Sequence, residues 1–104
     1  MDDVTLQLNE KNHGAFIIKE GEEQIGEMVV SVSGGHLTVY HTEVAPAADG
    51  KGLAKKMLQE MVDYARRNGL KVIPLCPYVH AQFRRHPDEY ADLWQAKDEK
   101  QDAA

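Results

Sequence analysis

Three groups of residues in this chain have types and spacings that could do chemistry. The first is Cys76, the single cysteine, followed by Pro77. Proline is favoured at a first helical position, so the spacing predicts a helix opening at Pro77 with Cys76 at its N-cap. Free N–H groups and the helix dipole there favour thiolate, the nucleophilic form of sulfur. Such a thiol could exchange with a thioester and carry an acyl group onward. As a plain core residue, Cys76 would instead be a small buried hydrophobe. The second group is His41 and Glu43, two residues apart on a predicted strand and therefore on one face. Either could take a proton from an attacking amine. A half-exposed strand face is their structural alternative. The third group is the run Asp49-Gly50-Lys51-Gly52-Leu53-Ala54 between a predicted strand and a predicted helix. Glycines allow positive φ and a close backbone approach. The first N–H groups of a helix have no internal partner, so such a turn can cradle phosphate. A plain turn before a helix is the other reading.

Other familiar chemistries do not fit. The phosphate loop Gly-x-x-x-x-Gly-Lys-Ser/Thr is absent, and Lys55 stands where the third glycine of Gly-x-Gly-x-x-Gly would be. His41, His80 and His86 show no compact ligand spacing and Cys76 is single, so no metal centre is expected.

These groups must be positioned by the elements around them. Val4-Thr5-Leu6-Gln7-Leu8 alternates and suits a short strand. Ala15–Glu20, Gln24–Ser33 and Leu37–Val44 read as three more, separated by Gly21-Glu22-Glu23 and by the tight Gly34-Gly35 hairpin signal. After Pro46 the period changes. Leu53, Met57, Leu58, Met61, Val62 and Ala65 recur at helical spacing. Arg66-Arg67 suit the last turn of that helix, and Asn68-Gly69 is a stop signal. Lys71–Cys76 reads as a short strand containing Pro74, which has no N–H for a sheet ladder. Pro77–Arg85 reads as a helix that His86-Pro87 ends. His80, four residues after Cys76, could approach the thiol on that helix. Asp88 is expected to cap a last helix through Trp94, with a frayed polar tail over 96–104. The expected class is α+β, antiparallel strands followed by β-α-β-α and a short C-terminal helix, in one domain over 1–104 with its core over about 4–95.

Charge narrows the function. Twelve basic and 17 acidic residues give a net charge of −5. A general nucleic-acid binder carries a net basic face, so that class is disfavoured. The charge is uneven: residues 1–49 carry −7 and residues 50–86 carry +6. A basic segment inside an acidic chain suits local attraction for an anion. The chain of 104 residues holds one domain. No apolar run is long enough to span a bilayer and the first residues form no secretory signal. A lone cysteine suits the reducing cytoplasm.

Several stretches together resemble the short, single-domain GNAT-like N-acetyltransferases. They are His41-Thr42-Glu43-Val44-Ala45-Pro46, Gly50-Lys51-Gly52-Leu53-Ala54-Lys55-Lys56-Met57-Leu58, Pro74-Leu75-Cys76-Pro77-Tyr78-Val79 and Arg85-His86-Pro87-Asp88-Glu89-Tyr90. The resemblance spans about residues 14–94. It implies a GNAT fold whose loop amides hold the pyrophosphate of acetyl-CoA. Val44, Asp49, Gly50, Lys51, Gly52, Leu53, Ala54 and Tyr78 are then the cofactor-binding positions, and Arg84-Arg85 could meet the 3′-phosphate. Gly52 and Ala54 fill the last two places of the family loop Gln/Arg-x-x-Gly-x-Gly/Ala, but Asp49 stands where Gln or Arg is expected. Val44 is implied to offer backbone groups to the pantetheine arm. Cys76 matches the suspected catalytic cysteine of the Pro-x-Cys-Pro-Tyr motif. The implied activity is transfer of acetyl to an amine or peptide acceptor, through Cys76 or with His41 or Glu43 as base. A non-catalytic CoA-binding module is the alternative, because the tight turn between the second and third strands leaves no room for the acceptor helices of longer GNAT enzymes.

Overall fold

The computed structural model describes residues 3–95. The expected frayed tail over 96–104 lies outside them. Five strands form one sheet in the order β1-β2-β3-β4-β5. They are β1 (Val4–Leu8), β2 (His13–Glu20), β3 (Glu23–Ser33), β4 (His36–Val44) and β5 (Lys71–Pro74). β1 to β4 pair antiparallel, as short turns require, and β5 pairs parallel to β4. A parallel neighbour needs a crossover connection. Helix α1 (Leu53–Arg67) supplies it, preceded by a 3-10 turn at Pro46–Ala48. Helices α2 (Pro77–Arg85) and α3 (Pro87–Tyr90) complete the α+β chain.

Helix α1 forms because its apolar residues recur at the helical period. Leu53, Met57, Leu58, Met61, Val62 and Ala65 are all buried. Each large side chain fully withdrawn from water contributes about 1.5–3 kcal/mol. The helix covers the sheet face that carries Ile18, Gly26 and Met28. A Cβ at Gly26 would sit 3.2 Å from the Met57 methyl, which fixes the side on which α1 lies. Phe16 and Tyr64 meet edge-on, 6.0 Å apart, across the same interface.

β4 contains a bulge. Val29 pairs with His41 and Val30 pairs with Val39, leaving Tyr40 as the extra residue. A bulge of one residue reverses which side chains point to which face. Leu37 and Val39 therefore face the core, while His41 and Glu43 face away from it and are exposed. Thr42, opposite the buried Met28, turns inward. The outer face carries Ile17, Glu27, Val29 and Thr38, all half-buried, with exposed His41 and Glu43. Among the described residues no helix lies over it. The shortest dimension of the molecule, 21 Å, suits a single helix layer on one sheet.

β2, β3 and β4 begin one or two residues earlier than expected, at His13, Glu23 and His36, and two later boundaries also shift. β5 ends at Pro74, because Cys76 leaves the ladder to become the residue before α2. The last helix runs over Pro87–Tyr90 with His86 at its N-cap, so Asp88 lies inside it and does not cap it. Trp94 is extended. The chain there runs parallel to β5: Val72 N–H donates to Leu93 C=O at 2.6 Å and Gln95 N–H donates to Val72 C=O at 2.8 Å. Pairing satisfies the backbone groups on the outer edge of β5, and this outweighs continued helix.

Candidate active site

The site gathers where β4 outruns β5. Their pairing ends at Val39 and Pro74, while β4 continues to Val44. Cys76 N–H still donates to Val39 C=O at 2.9 Å, and the chain then turns away into α2. The two backbones diverge from that point, which opens a split beside Tyr40–Val44. Pro74 sits at the last paired position of β5, where its missing N–H costs the ladder least.

Cys76 lies at the closed end of the split. It is the N-cap of α2, with Pro77 in the first turn, as the sequence predicts. The residue is 1% exposed. Thr42 Oγ1 lies 3.3 Å from its sulfur, within hydrogen-bonding reach. Sequence spacing did not single out Thr42, since only the bulge at Tyr40 turns it toward Cys76. Tyr78, the second residue of α2, packs against the core. Burial, and after it the neighbouring Cys76, raise its phenol above the ordinary value of 10.0. His80 does not approach the thiol. Its imidazole meets Trp94 edge-on with centroids 6.0 Å apart. Arg84 and Arg85 are exposed in the last turn of α2.

The glycine turn lies at the end of β4. Pro46–Ala48 form the 3-10 turn with Ala45 as its N-cap, and Asp49 to Gly52 carry the chain into α1. Gly50 has φ 88° and Gly52, the N-cap of α1, has φ 73°. Side chains with a Cβ rarely adopt those angles. No side chain caps α1, and no acidic residue sits in its first turn. Lys56 N–H is the first to bond back, to Gly52 C=O at 3.1 Å. The N–H groups of Leu53, Ala54 and Lys55 have no backbone acceptor among the described residues. They converge on the positive end of the dipole, with exposed Lys51, Lys55 and Lys56 around it. Leu53 is 2% exposed, so its side chain belongs to the core and is no ligand contact. Asp49 is exposed, and Ala54 and Val44 are half-buried.

His41 and Glu43 do share a face, as expected, and it is the open face. Glu27 of β3 joins them. It pairs directly opposite Glu43, and ligand atoms of all three residues lie within 4.8 Å of one another. Glu27 is 14 residues from His41 in sequence, so only strand register reveals it. Tyr40 stands on the same face, 44% exposed, with its hydroxyl 2.8 Å from Ser31 Oγ.

A strand followed by a glycine turn into a helix is the arrangement the resemblance implies for the cofactor-binding positions. A family model described as GCN5-related N-acetyl-transferase matches residues 15–93. The chain belongs to this family. Solved structures agree with the GNAT assignment. A GCN5-like candidate N-acetyltransferase from Staphylococcus aureus is 26% identical, superposes over 92% of each chain and gives a TM-score of 0.66. The ribosomal-protein-alanine N-acetyltransferase from Brucella melitensis biovar Abortus 2308 shares the fold at 19% identity, with a TM-score of 0.60 over 84% of this chain and 64% of that one. The ribosomal-protein-S18-alanine N-acetyltransferase from Escherichia coli shares it at 15% identity and a TM-score of 0.56, over 62% of this chain but only 42% of the enzyme. The GNAT chain thus spans about two fifths of that enzyme's length. No curated protein matches it by sequence. Among the described residues, no helix is long and apolar enough to cross a membrane.

Proposed function

We propose that this GNAT chain binds acetyl-CoA and transfers its acetyl group to a primary amine on a small molecule or peptide. The observation that carries this reading is the turn at Gly50 and Gly52. It aims the free amides of Leu53, Ala54 and Lys55 outward beside the end of β4. The pyrophosphate suits those amides and the surrounding lysines. Val44 backbone groups would hold the pantetheine arm along the unpaired edge, and Tyr78 would line the other wall. Asp49 supplies no cationic contact, so the backbone and Lys51 carry the anion.

The chemistry follows from the split. The thioester supplies an activated carbonyl. The acceptor approaches over the open outer face, which no helix covers among the described residues. Its neutral nitrogen forms the new C–N bond, the C–S bond breaks, and the CoA thiolate leaves. His41 or Glu43, on that face, takes the proton the amine gives up. Cys76 offers a second route, favoured by its place at the closed end of the split beside Thr42. There the sulfur accepts the acetyl group, CoA leaves as the thiol, and the amine then cleaves the S-acetyl bond. Burial of Cys76 restricts this route to a carbonyl that has entered the split. A lone buried thiol suits the cytoplasm, which we take as the compartment.

Calorimetry with acetyl-CoA tests the reading. Saturable binding is expected, weakened at least about tenfold in Gly52→Val because φ of 73° excludes a β-branched residue. A panel of polyamines and peptides should then yield acetylated product. Binding without turnover across the panel would support a CoA-binding module in place of a transferase. Absence of binding would overturn both.

A further inference from the structure

We propose that Glu27, His41 and Glu43 form a surface site for a divalent transition-metal ion of the Zn2+ type. This goes beyond the transferase reading, since it needs no coenzyme. Exposed carboxylates alone would carry no such signal. Three features set this cluster apart. The first is its ligand chemistry: one imidazole with two carboxylates suits Zn2+ and its neighbours in the transition series. The second is its geometry. The ligand atoms already lie within 4.8 Å of one another, on three side chains that project from two paired strands. His41 and Glu43 stand two apart on one strand, and the register sets Glu27 directly across from Glu43. Small rotamer changes would close the three onto one ion, leaving its other positions open to solvent.

The third feature is electrostatic. Like charges directly opposite each other across a sheet destabilise it. Glu27 and Glu43 are such a pair, and no hydrogen bond or ion pair engages their carboxylates among the described residues. A cation between them would reverse that repulsion. The bulge at Tyr40 is essential, because without it His41 and Glu43 would share the face of Leu37 and Val39. An ion held here would use the lone pairs of His41 and Glu43. If those residues are the proton acceptors proposed above, the ion would compete with catalysis.

The test is titration of the full chain, free of affinity tag, with zinc chloride in a non-chelating buffer. Calorimetry and thermal melting read the result without any coenzyme, so its failure is distinct from failure of the transferase reading. One Zn2+ per chain is expected to bind and to raise Tm. His41→Ala and Glu27→Gln should each weaken binding at least about tenfold. His36→Ala and Cys76→Ala should retain it. Glu27 and His41 lie outside the core, so both variants should melt near the parent when no metal is present. Lack of saturable binding would overturn the proposal. So would binding that survives both His41→Ala and Glu27→Gln, or binding that disappears with Cys76→Ala.

Discussion

Thr42 Oγ1 lies 3.3 Å from Cys76 Sγ, although 34 residues separate them in sequence. The contact ties the bulged end of β4 to the start of α2 at the closed end of the split. It joins the strand edge proposed to hold pantetheine to the helix that forms the opposite wall.

That contact should be measurable as a coupling. Thr42→Val and Cys76→Ala are each expected to cost about 1 kcal/mol, from a lost hydrogen bond and a lost buried sulfur. The double variant should cost less than the two separately, because they share one interaction. Thiol groups are weak hydrogen-bond partners, so the coupling belongs at the low end, about 0.5 kcal/mol. Urea unfolding of the four proteins measures it. Strict additivity would show that the sulfur and hydroxyl are neighbours without an interaction.

The two ends of α1 allow the glycine turn to be tested with an internal control. Gly52 has φ 73° at the N-terminus and Gly69 has φ 64° just past the C-terminus. A Cβ at either would meet no atom within 4 Å, so alanine brings backbone strain without a clash. Each substitution should cost about 1–2 kcal/mol. Only Gly52→Ala should also weaken acetyl-CoA binding. Equal binding loss in both would place the effect in global stability.

Arg66 and Asp92 predict an acid-sensitive contact. Arg66 Nε and Nη2 donate to the Asp92 carboxylate at 3.0 and 3.2 Å, and Nη2 also donates to Glu89 C=O at 2.8 Å. The hydrogen bonds from Arg66 hold the Asp92 carboxyl below its ordinary 3.8. A lowered folded value stabilises the protein above the unfolded value, and that stability is lost as pH falls through the folded one. Both side chains are substantially exposed, 40% and 57%, so solvent screening limits the pair to a few tenths of a kcal/mol. Asp92→Asn should lower stability slightly at pH 7 and leave it unchanged near pH 2. Melting curves across that range check it, and a loss persisting at pH 2 would point to packing.

Tyr78 predicts the opposite, alkaline limb. Its phenol is raised above 10.0, first by burial and then by Cys76. The neutral phenol is therefore favoured in the folded chain. Its stabilisation is complete below the unfolded value and is lost as pH rises through the folded one. Tyr78→Phe should flatten the fall in stability above about pH 10. Tyr90, raised mainly by burial, should retain its own contribution. An unchanged alkaline slope in Tyr78→Phe would mean that Tyr78 ionises without resistance.

Much of this molecule could be read along the chain. The apolar spacing from Leu53 to Ala65 specifies a helix with one buried face, and all six expected residues are buried. The alternating runs before Pro46 specify strands, and short turns between them leave antiparallel pairing as the compact solution. Cys76 before Pro77 marks a helix start for local reasons, since proline fits a first turn. The glycine turn announced itself because Gly50-Lys51-Gly52 precedes an amphipathic helix. Trp94 was harder. Its extended backbone depends on pairing with Val72, far away in sequence.

The face on which chemistry sits was decided by pairing in the folded sheet. Local sterics dictate that His41 and Glu43 lie together, because side chains alternate along any strand. They do not dictate which face the pair occupies. Tyr40, inserted between Val39 and His41 against a single step of β3, sends His41 and Glu43 outward to meet Glu27 and turns Thr42 inward to meet Cys76. Periodicity is a property of a few consecutive residues, whereas a bulge exists only relative to a partner strand. The sequence therefore determined which residues travel together, and the tertiary structure determined what they face.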